Sequence, residues 1–287
     1  MILSKLVLGG ANFGQIYGID KKKINQQEIK KIFRFFKDKN KKIIIDSSPN
    51  YGNCEKILGE IKFQNYLIIT KIKNLPKKIS EIKRFIENFI YQYKKKTKKN
   101  IYAILLHDEM ELSNIKRLRY IVKILEMIKK KGIIRKYGFS IYNYNKYKKN
   151  ILKTKPDILQ FPINLIDDRI SETDFKILKK RNILLYARSV FLQGLLLKNY
   201  KNLPKKFLKF KRIWKEYDNQ FKKSGLNKFE ACLGKIVSNK YIDKIIISFN
   251  SLNQLKEIEK LKKVNKKFFF PKLKKNQKCF LINPYRW

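Results

Sequence analysis

Apolar residues follow two alternating rhythms along this chain. Short unbroken runs rich in Ile, Leu, Val, Tyr and Phe occur at Leu6 to Leu8, Ile43 to Ile45, Tyr66 to Ile69, Ile101 to Leu106, Tyr137 to Phe139, Ile158 to Phe161, Ile183 to Tyr186 and Lys244 to Ile247, eight in all. They are too short for helices and lack polar alternation, so they predict strands buried on both faces, as in parallel sheets covered by helices. Between them lie longer, Lys-rich segments whose apolar residues recur every three or four positions. Examples are Ile29, Ile32, Phe33, Phe36 and Ile115, Leu118, Ile121, Val122, Leu125, Ile128. That spacing gathers one apolar stripe on a helix and leaves the lysines in water. Ser80 before Glu81 and Ser113 before Asn114 are the expected starts of two such helices.

Strand and helix alternate with no Pro/Gly/Ser-rich linker between them, so residues 1–287 read as one domain. Eight βα units predict an α/β fold, a closed (β/α)8 TIM barrel in preference to an open doubly wound sheet. The connection at about 188–227 is longer than the others and reads as an insertion after strand seven, with an amphipathic segment from Lys205 to Lys222, before the next helix at Lys228 to Asn239. A basic C-terminal tail is expected at about 262–287.

Composition narrows the picture. Hydrophobic residues make up 44% and aromatics 13%, which is ample for a packed core and argues against disorder. Against 23 Asp+Glu stand 69 Lys+Arg, a formal charge of +46. The excess is mostly Lys, scattered through the chain alongside Ile, Asn, Tyr and Phe, residues that share A/T-rich codons. Compositional drift accounts for that mixture without a ligand. An electrostatic footprint for nucleic acid or an anionic membrane gathers on one face or in a tail, and only Lys262 to Lys278 resembles one. Weak non-specific affinity for anions is therefore expected, without a specific nucleic-acid partner. No apolar run reaches the roughly 18 residues of a membrane span, and Met1 to Gly10 does not read as a signal peptide, so a soluble, cytoplasmic protein is expected. Cys54, Cys232 and Cys279 are odd in number and far apart, which fits reduced thiols and offers no metal spacing.

In a βα barrel the residues that follow each strand converge on one rim. Here the second strand ends in Asp46, with Tyr51 five residues on, the third in Lys71, the fourth in His107 and the fifth in Ser140, the sixth carries Gln160 and Asn164, the seventh leads to Arg188 and the eighth ends in Ser248. Each alone reads equally well as a turn former, a solvated lysine or half-buried packing. Together on one rim they suggest acid–base chemistry. A Lys71–Asp46 ion pair beside Tyr51 would lower the phenol from its ordinary value near 10, and His107 would orient a carbonyl oxygen.

Asp46-Ser-Ser-Pro-Asn-Tyr51-Gly-Asn-Cys-Glu55-Lys-Ile-Leu58-Gly59 resembles the signature of the aldo-keto reductases. Ile68-Ile-Thr-Lys71 and Leu105-Leu-His107 are similar to the strands that carry the lysine and histidine of that family, so Asp46, Tyr51, Lys71 and His107 match its catalytic tetrad. Lys131 to Ser140, Gln160-Phe-Pro-Ile-Asn164-Leu, Gln193-Gly194-Leu195-Leu196 and Gln254-Leu255-Lys256-Glu257 resemble later family segments in the correct order. The resemblance implies a barrel that binds NADPH, or less often NADH, without a Rossmann domain. No G-x-G-x-x-G or Walker A lysine is present. It also implies that Gly9 and Gly10 admit the cofactor, that Ser140 and Gln160 hold the nicotinamide carboxamide, and that Gln254 and Glu257 meet the adenosine end. Three positions depart from the pattern: Ile141 where Asn is usual, Arg188 where an aromatic ring stacks on the nicotinamide, and Ser248 where Gly is usual.

The expected function is reduction of a small-molecule carbonyl by NAD(P)H, with Tyr51 as general acid. Two alternatives stay open: a barrel that binds the dinucleotide but turns over little, as a partner of another protein, and nucleic-acid binding driven by charge.

Overall fold

A computed structural model describes residues 2–63, 65–261 and 268–287. Eight parallel strands, each paired with its neighbours in sequence order, close into a barrel as β1-β2-β3-β4-β5-β6-β7-β8, with β8 returning to β1. They are β1 Leu6–Gly9, β2 Ile43–Asp46, β3 Tyr66–Ile72, β4 Ile101–Leu106, β5 Lys136–Ser140, β6 Ile158–Pro162, β7 Leu184–Arg188 and β8 Lys244–Ile247. Around them run α1 Ala11–Gly14, α2 Gln26–Asp38, α3 Cys54–Glu60, α4 Ile79–Thr97, α5 Ile115–Lys130, α6 Tyr144–Thr154, α7 Glu172–Lys180, α8 Lys211–Ser224, α9 Lys228–Val237, α10 Leu252–Lys260 and α11 Lys275–Leu281. The expected (β/α)8 barrel is therefore the fold.

Two apolar layers hold it. Val7, Ile69, Ala103, Leu105, Ile158, Tyr186 and Ile246 pack inside the barrel, each nine-tenths or more buried. Alternate strand residues such as Leu8, Ile45, Ile68, Ile104 and Leu159 face outward against the helices. The helices supply the stripes their spacing demands: α2 buries Ile29, Ile32, Phe33 and Phe36, and α5 buries Leu118, Ile121, Leu125 and Ile128. The strands extend past several of the apolar runs. Asp46, Lys71, Ser140 and Arg188 are strand residues, because the hydrogen-bonded ladder continues where side chains turn polar. Two helix starts shift. Ser80 lies inside α4, which begins after Lys78, and Asn114 rather than Ser113 caps α5, its side chain accepting from the amides of Lys116 and Arg117.

Between β7 and α9 the chain makes three 3-10 helices, at Leu192–Leu197, Tyr200–Asn202 and Lys205–Phe210, before α8. Residues 268–287 dock on this segment, contrary to the expectation of a charged tail over that range. Phe268 stacks on Phe221 with centroids 4.0 Å apart, Phe270 meets Trp214 at 5.3 Å, and Trp287 stands edge-on to Phe207 at 5.0 Å. Aromatic burial outweighs the lysines between these rings, whose charged ends reach water. Residues 262–267, the first part of the expected tail, lie outside the described residues. Cys54 and Cys232 are buried and Cys279 is exposed, all as free thiols. Among the described residues no helix is long and apolar enough to cross a membrane.

Gly138 marks the tightest strand contact. A Cβ there would lie 2.8 Å from the carbonyl carbon of Ile158 on β6. Gly138→Ala should destabilise the barrel by about 1–3 kcal/mol through overpacking, read as a lowered urea midpoint; an unchanged midpoint would show that β5 and β6 can separate freely.

Candidate active site

Lys71 organises the mouth of the barrel. One residue before the end of β3, its side chain is buried, 1% exposed, and all three of its N–H groups are used. Nζ donates to Asp46 Oδ2 at 2.6 Å, to the Ser47 carbonyl at 3.0 Å and to Tyr51 Oη at 3.1 Å. Burying an ammonium is unfavourable unless it is paired and fully hydrogen-bonded, and this geometry provides both. Burial still lowers the Lys71 pKa, opposed by Asp46.

Asp46 is shared. Its other oxygen, Oδ1, accepts from Gln160 Nε2 at 2.8 Å, and Gln160 Oε1 accepts from Ser140 Oγ at 2.8 Å. A continuous chain thus runs Ser140, Gln160, Asp46, Lys71, Tyr51. Ser140 and Gln160, expected to hold a carboxamide, are first of all partners of each other and of Asp46; each retains further hydrogen-bonding capacity.

Tyr51 sits on the loop between β2 and α3. Gly14 of α1 allows the close approach that fixes this loop: a Cβ at Gly14 would lie 2.7 Å from the Asn53 amide nitrogen. The phenol does not behave as the sequence suggested. Burial, then the Asp46 carboxylate, raises its pKa well above 10, and the opposing charge of Arg188 does not overcome them. In the resting protein Tyr51 is a neutral phenol. His107 is half-buried, and burial, followed by the charges of Lys71, Arg188 and Lys73, pushes its pKa down to about 3. The imidazole is neutral at physiological pH.

One cavity of about 1280 Å3 opens here, lined by Asp46, Tyr51, His107, Ser140, Gln160, Arg188, Ser248, Gln254, Glu257 and Gly9. Lys71 lies buried beneath it. Gly10 is not on its wall: a Cβ there would meet Cys54 Sγ at 2.6 Å and the Asp46 carbonyl at 3.0 Å, so this glycine serves packing between β1 and β2. Gly9 does line it, and a Cβ there would run into the Ser248 hydroxyl. The guanidinium carbon of Arg188 lies 4.0 Å from the centroid of the Tyr142 ring, and Nη2 donates to the Ile141 carbonyl at 3.0 Å. Gln254 Oε1 accepts from the Asn250 amide at 2.8 Å, and Glu28 Oε2 of α2 accepts from the Leu252 amide at the start of α10.

Several wall residues escaped the sequence reading: Asn12, Tyr17, Lys73 and Tyr142. Asn12 is 2% exposed and donates to Asn250 Oδ1 at 3.1 Å. Tyr17 belongs to the loop after β1, which folds back on itself between Tyr17 and Lys22 and then reaches the β7 loop. There the Ile19 amide donates to the Gln193 carbonyl at 3.0 Å, and Lys198 pairs with Asp20 at 2.5 Å. Glycine and aromatic residues after the first strand were the available signal for this loop. Among the described residues no cluster of His, Cys, Asp and Glu could hold a metal ion.

His107 is the only histidine in the chain, so its protonation can be followed alone. Its Cε1–H resonance should not titrate between pH 5 and 8; a midpoint near 6.5 would refute the buried, cation-flanked imidazole. The unfolded chain takes up this proton near 6.5 and the fold refuses it down to about 3. The neutral imidazole therefore contributes stability in full above pH 6.5, and that contribution is lost as pH falls from 6.5 to 3.

A model of the Aldo/keto reductase family matches residues 5–267. Among solved structures, the chain is similar to the aldo-keto reductase AKR11C1 from Bacillus halodurans in its holo form, at 17% identity over 97% of this chain and 91% of that one, with a TM-score of 0.65. It is also similar to the glycerol dehydrogenase AKR11B4 from Gluconobacter oxydans, at 17% identity over 97% and 90%, with a TM-score of 0.66. At that identity the likeness establishes the fold. No curated protein sequence matches this chain closely. The family match spans most of the chain and takes in the strand-end residues described above, and the chain belongs to the aldo/keto reductase family.

Proposed function

We propose that this protein reduces the carbonyl of a small molecule to an alcohol at the expense of NADPH, with NADH as the second candidate. The observation that carries the reading is the placement of Lys71 Nζ, 2.6 Å from Asp46 and 3.1 Å from Tyr51, at the floor of a cavity large enough for a dinucleotide and a small substrate together. The wall fits such a group. Gly9 and Ser248 leave a cradle that a side chain would fill, Ser140 and Gln160 present hydroxyl and amide groups, and Arg188 on the same wall is a planar cation of the kind that stacks on a flat ring. Gln254 and Glu257 would meet the far end. Lys260 lines the cavity near them, and it is the cation available there for a 2′-phosphate.

When bound, the nicotinamide supplies the hydride. The chain's own groups supply the proton and the orientation. Tyr51, held as a neutral phenol, donates its proton to the carbonyl oxygen as negative charge develops there. The phenolate left behind forms against the Lys71 ammonium, whose attraction is strongest at that moment because the site is buried. Asp46 keeps that ammonium charged and aimed. Neutral His107 can donate one N–H to the carbonyl oxygen without competing with Tyr51 as an acid.

Tyr51→Phe should lower carbonyl reduction by about 10²–10⁴-fold, the range for removing a general acid, and leave NADPH affinity, measured by fluorescence titration, nearly intact. Unchanged turnover would remove Tyr51 as the acid. A wild-type protein that binds NADPH or NADH yet transfers hydride to none of a panel of aldehydes, ketones and sugar carbonyls would favour a binding role instead.

A further inference from the structure

Around His107 the cavity carries more positive than negative charge. Asp46 is the carboxylate there, and both its oxygens are taken, one by Lys71 and one by Gln160. Arg188 and Lys73 also line the cavity, and among the described residues neither has a carboxylate within the 4.0 Å of an ion pair. Arg188 makes do with neutral partners: the Tyr142 ring, the Ile141 carbonyl, and the Ser189 hydroxyl at 3.3 Å. Its Nε is buried without an acceptor. The other carboxylates on the wall stand elsewhere. Asp20 pairs with Lys198 at the loop crossing, Glu230 caps α9, and Glu257 lies on α10.

Position strengthens the point. β3 and β7 lie four strands apart in a ring of eight, so Lys73, which follows β3, and Arg188, which ends β7, project into the mouth from opposite sides. Tyr51 and His107 share the wall between them. Both charges reach His107, whose imidazole they help to hold neutral. A guanidinium enclosed without a counter-ion calls for an acceptor with charge, since charge-assisted hydrogen bonds to an oxyanion are about twice as strong as those to neutral groups.

We propose that the substrate of this site carries a carboxylate or phosphate close to its reacting carbonyl, recognised by Arg188 and Lys73. This rests on the carbonyl-reductase reading above. The N–H groups of Arg188 that Ile141, Ser189 and Tyr142 leave over serve the oxyanion. Selectivity should then lie in a ratio: kcat/KM for an anionic carbonyl over that for a neutral one of the same size.

Two matched pairs test this, succinic semialdehyde against butanal and glyceraldehyde 3-phosphate against glyceraldehyde, with NADPH in excess. The wild-type ratio should exceed about tenfold in at least one pair, as expected for one charge-assisted hydrogen bond, and the preferred pair identifies the oxyanion. Arg188→Gln and Lys73→Gln should each lower that ratio severalfold or more, whatever they do to turnover of the neutral partner. Lys123→Gln, on the outer face of α5, controls for the overall positive charge and should leave the ratio unmoved. Ratios near one in both pairs, or a ratio untouched by Arg188→Gln, overturn the proposal while leaving carbonyl reduction standing. If no carbonyl is reduced, the functional reading fails, and calorimetric titration of the protein with succinate and with inorganic phosphate decides the rest. Tighter binding to wild type than to Arg188→Gln and Lys73→Gln supports an oxyanion site, and equal binding to all three overturns it.

Discussion

A lysine ammonium with almost no exposure to water is the constraint around which the mouth of this barrel is built. Lys71 has three hydrogens to place, and it places them on a carboxylate, a backbone carbonyl and a phenol. Removing any one of these would leave a buried donor without a partner. The carboxylate comes from the next strand, the carbonyl from the residue after it, and the phenol from the loop that Gly14 lets pack closely. A closed parallel barrel brings these together because all its strands end at the same rim. The interaction continues through Asp46 to Gln160, on the strand opposite β2, so that the two sides of the mouth are joined by a hydrogen bond.

Much of this architecture was legible as a rhythm of residues. Each apolar run became a strand and each three-to-four spacing a helix, because the inner and outer cores demand those periods. The polar strand ends were legible too: Asp46 closes β2 and Ser140 closes β5, and β3 runs one residue past Lys71. Each of these residues, like Arg188, is held in the ladder by its backbone. The C-terminal segment is a different case. Lys262 to Lys278 counts as charge, but Phe268 and Phe270 find Phe221 and Trp214, partners far away in sequence that no local window pairs with them.

The site itself was legible as a set of residues and only partly as a set of states. Asp46, Tyr51, Lys71 and His107 could be named because the segments that carry them resemble those of the aldo-keto reductases. The protonation of Tyr51 could not, since a neighbouring ammonium argues one way and burial the other, and burial is a property of the folded chain. Gln160 hid its partnership with Asp46 behind a separation of 114 residues. Charge behaves differently again. Exposed lysines such as Lys30, Lys83, Lys123, Lys149, Lys176, Lys215 and Lys256 stand on seven different helices around the barrel, so the excess is spread over the outside, and the few cations that matter to the cavity are those turned inward.

The meeting of the β1 and β7 loops ties one side of the mouth together. These loops leave strands on either side of β8, and they are joined by the Ile19–Gln193 backbone bond and the Asp20–Lys198 pair. The sector of the mouth above β8 is thus roofed by a bar with two fastenings, one of which is a partly exposed ion pair that dissolved ions weaken. The backbone bond between Ile19 and Gln193 does not share that sensitivity, so the crossing keeps one fastening at ionic strengths that loosen the other.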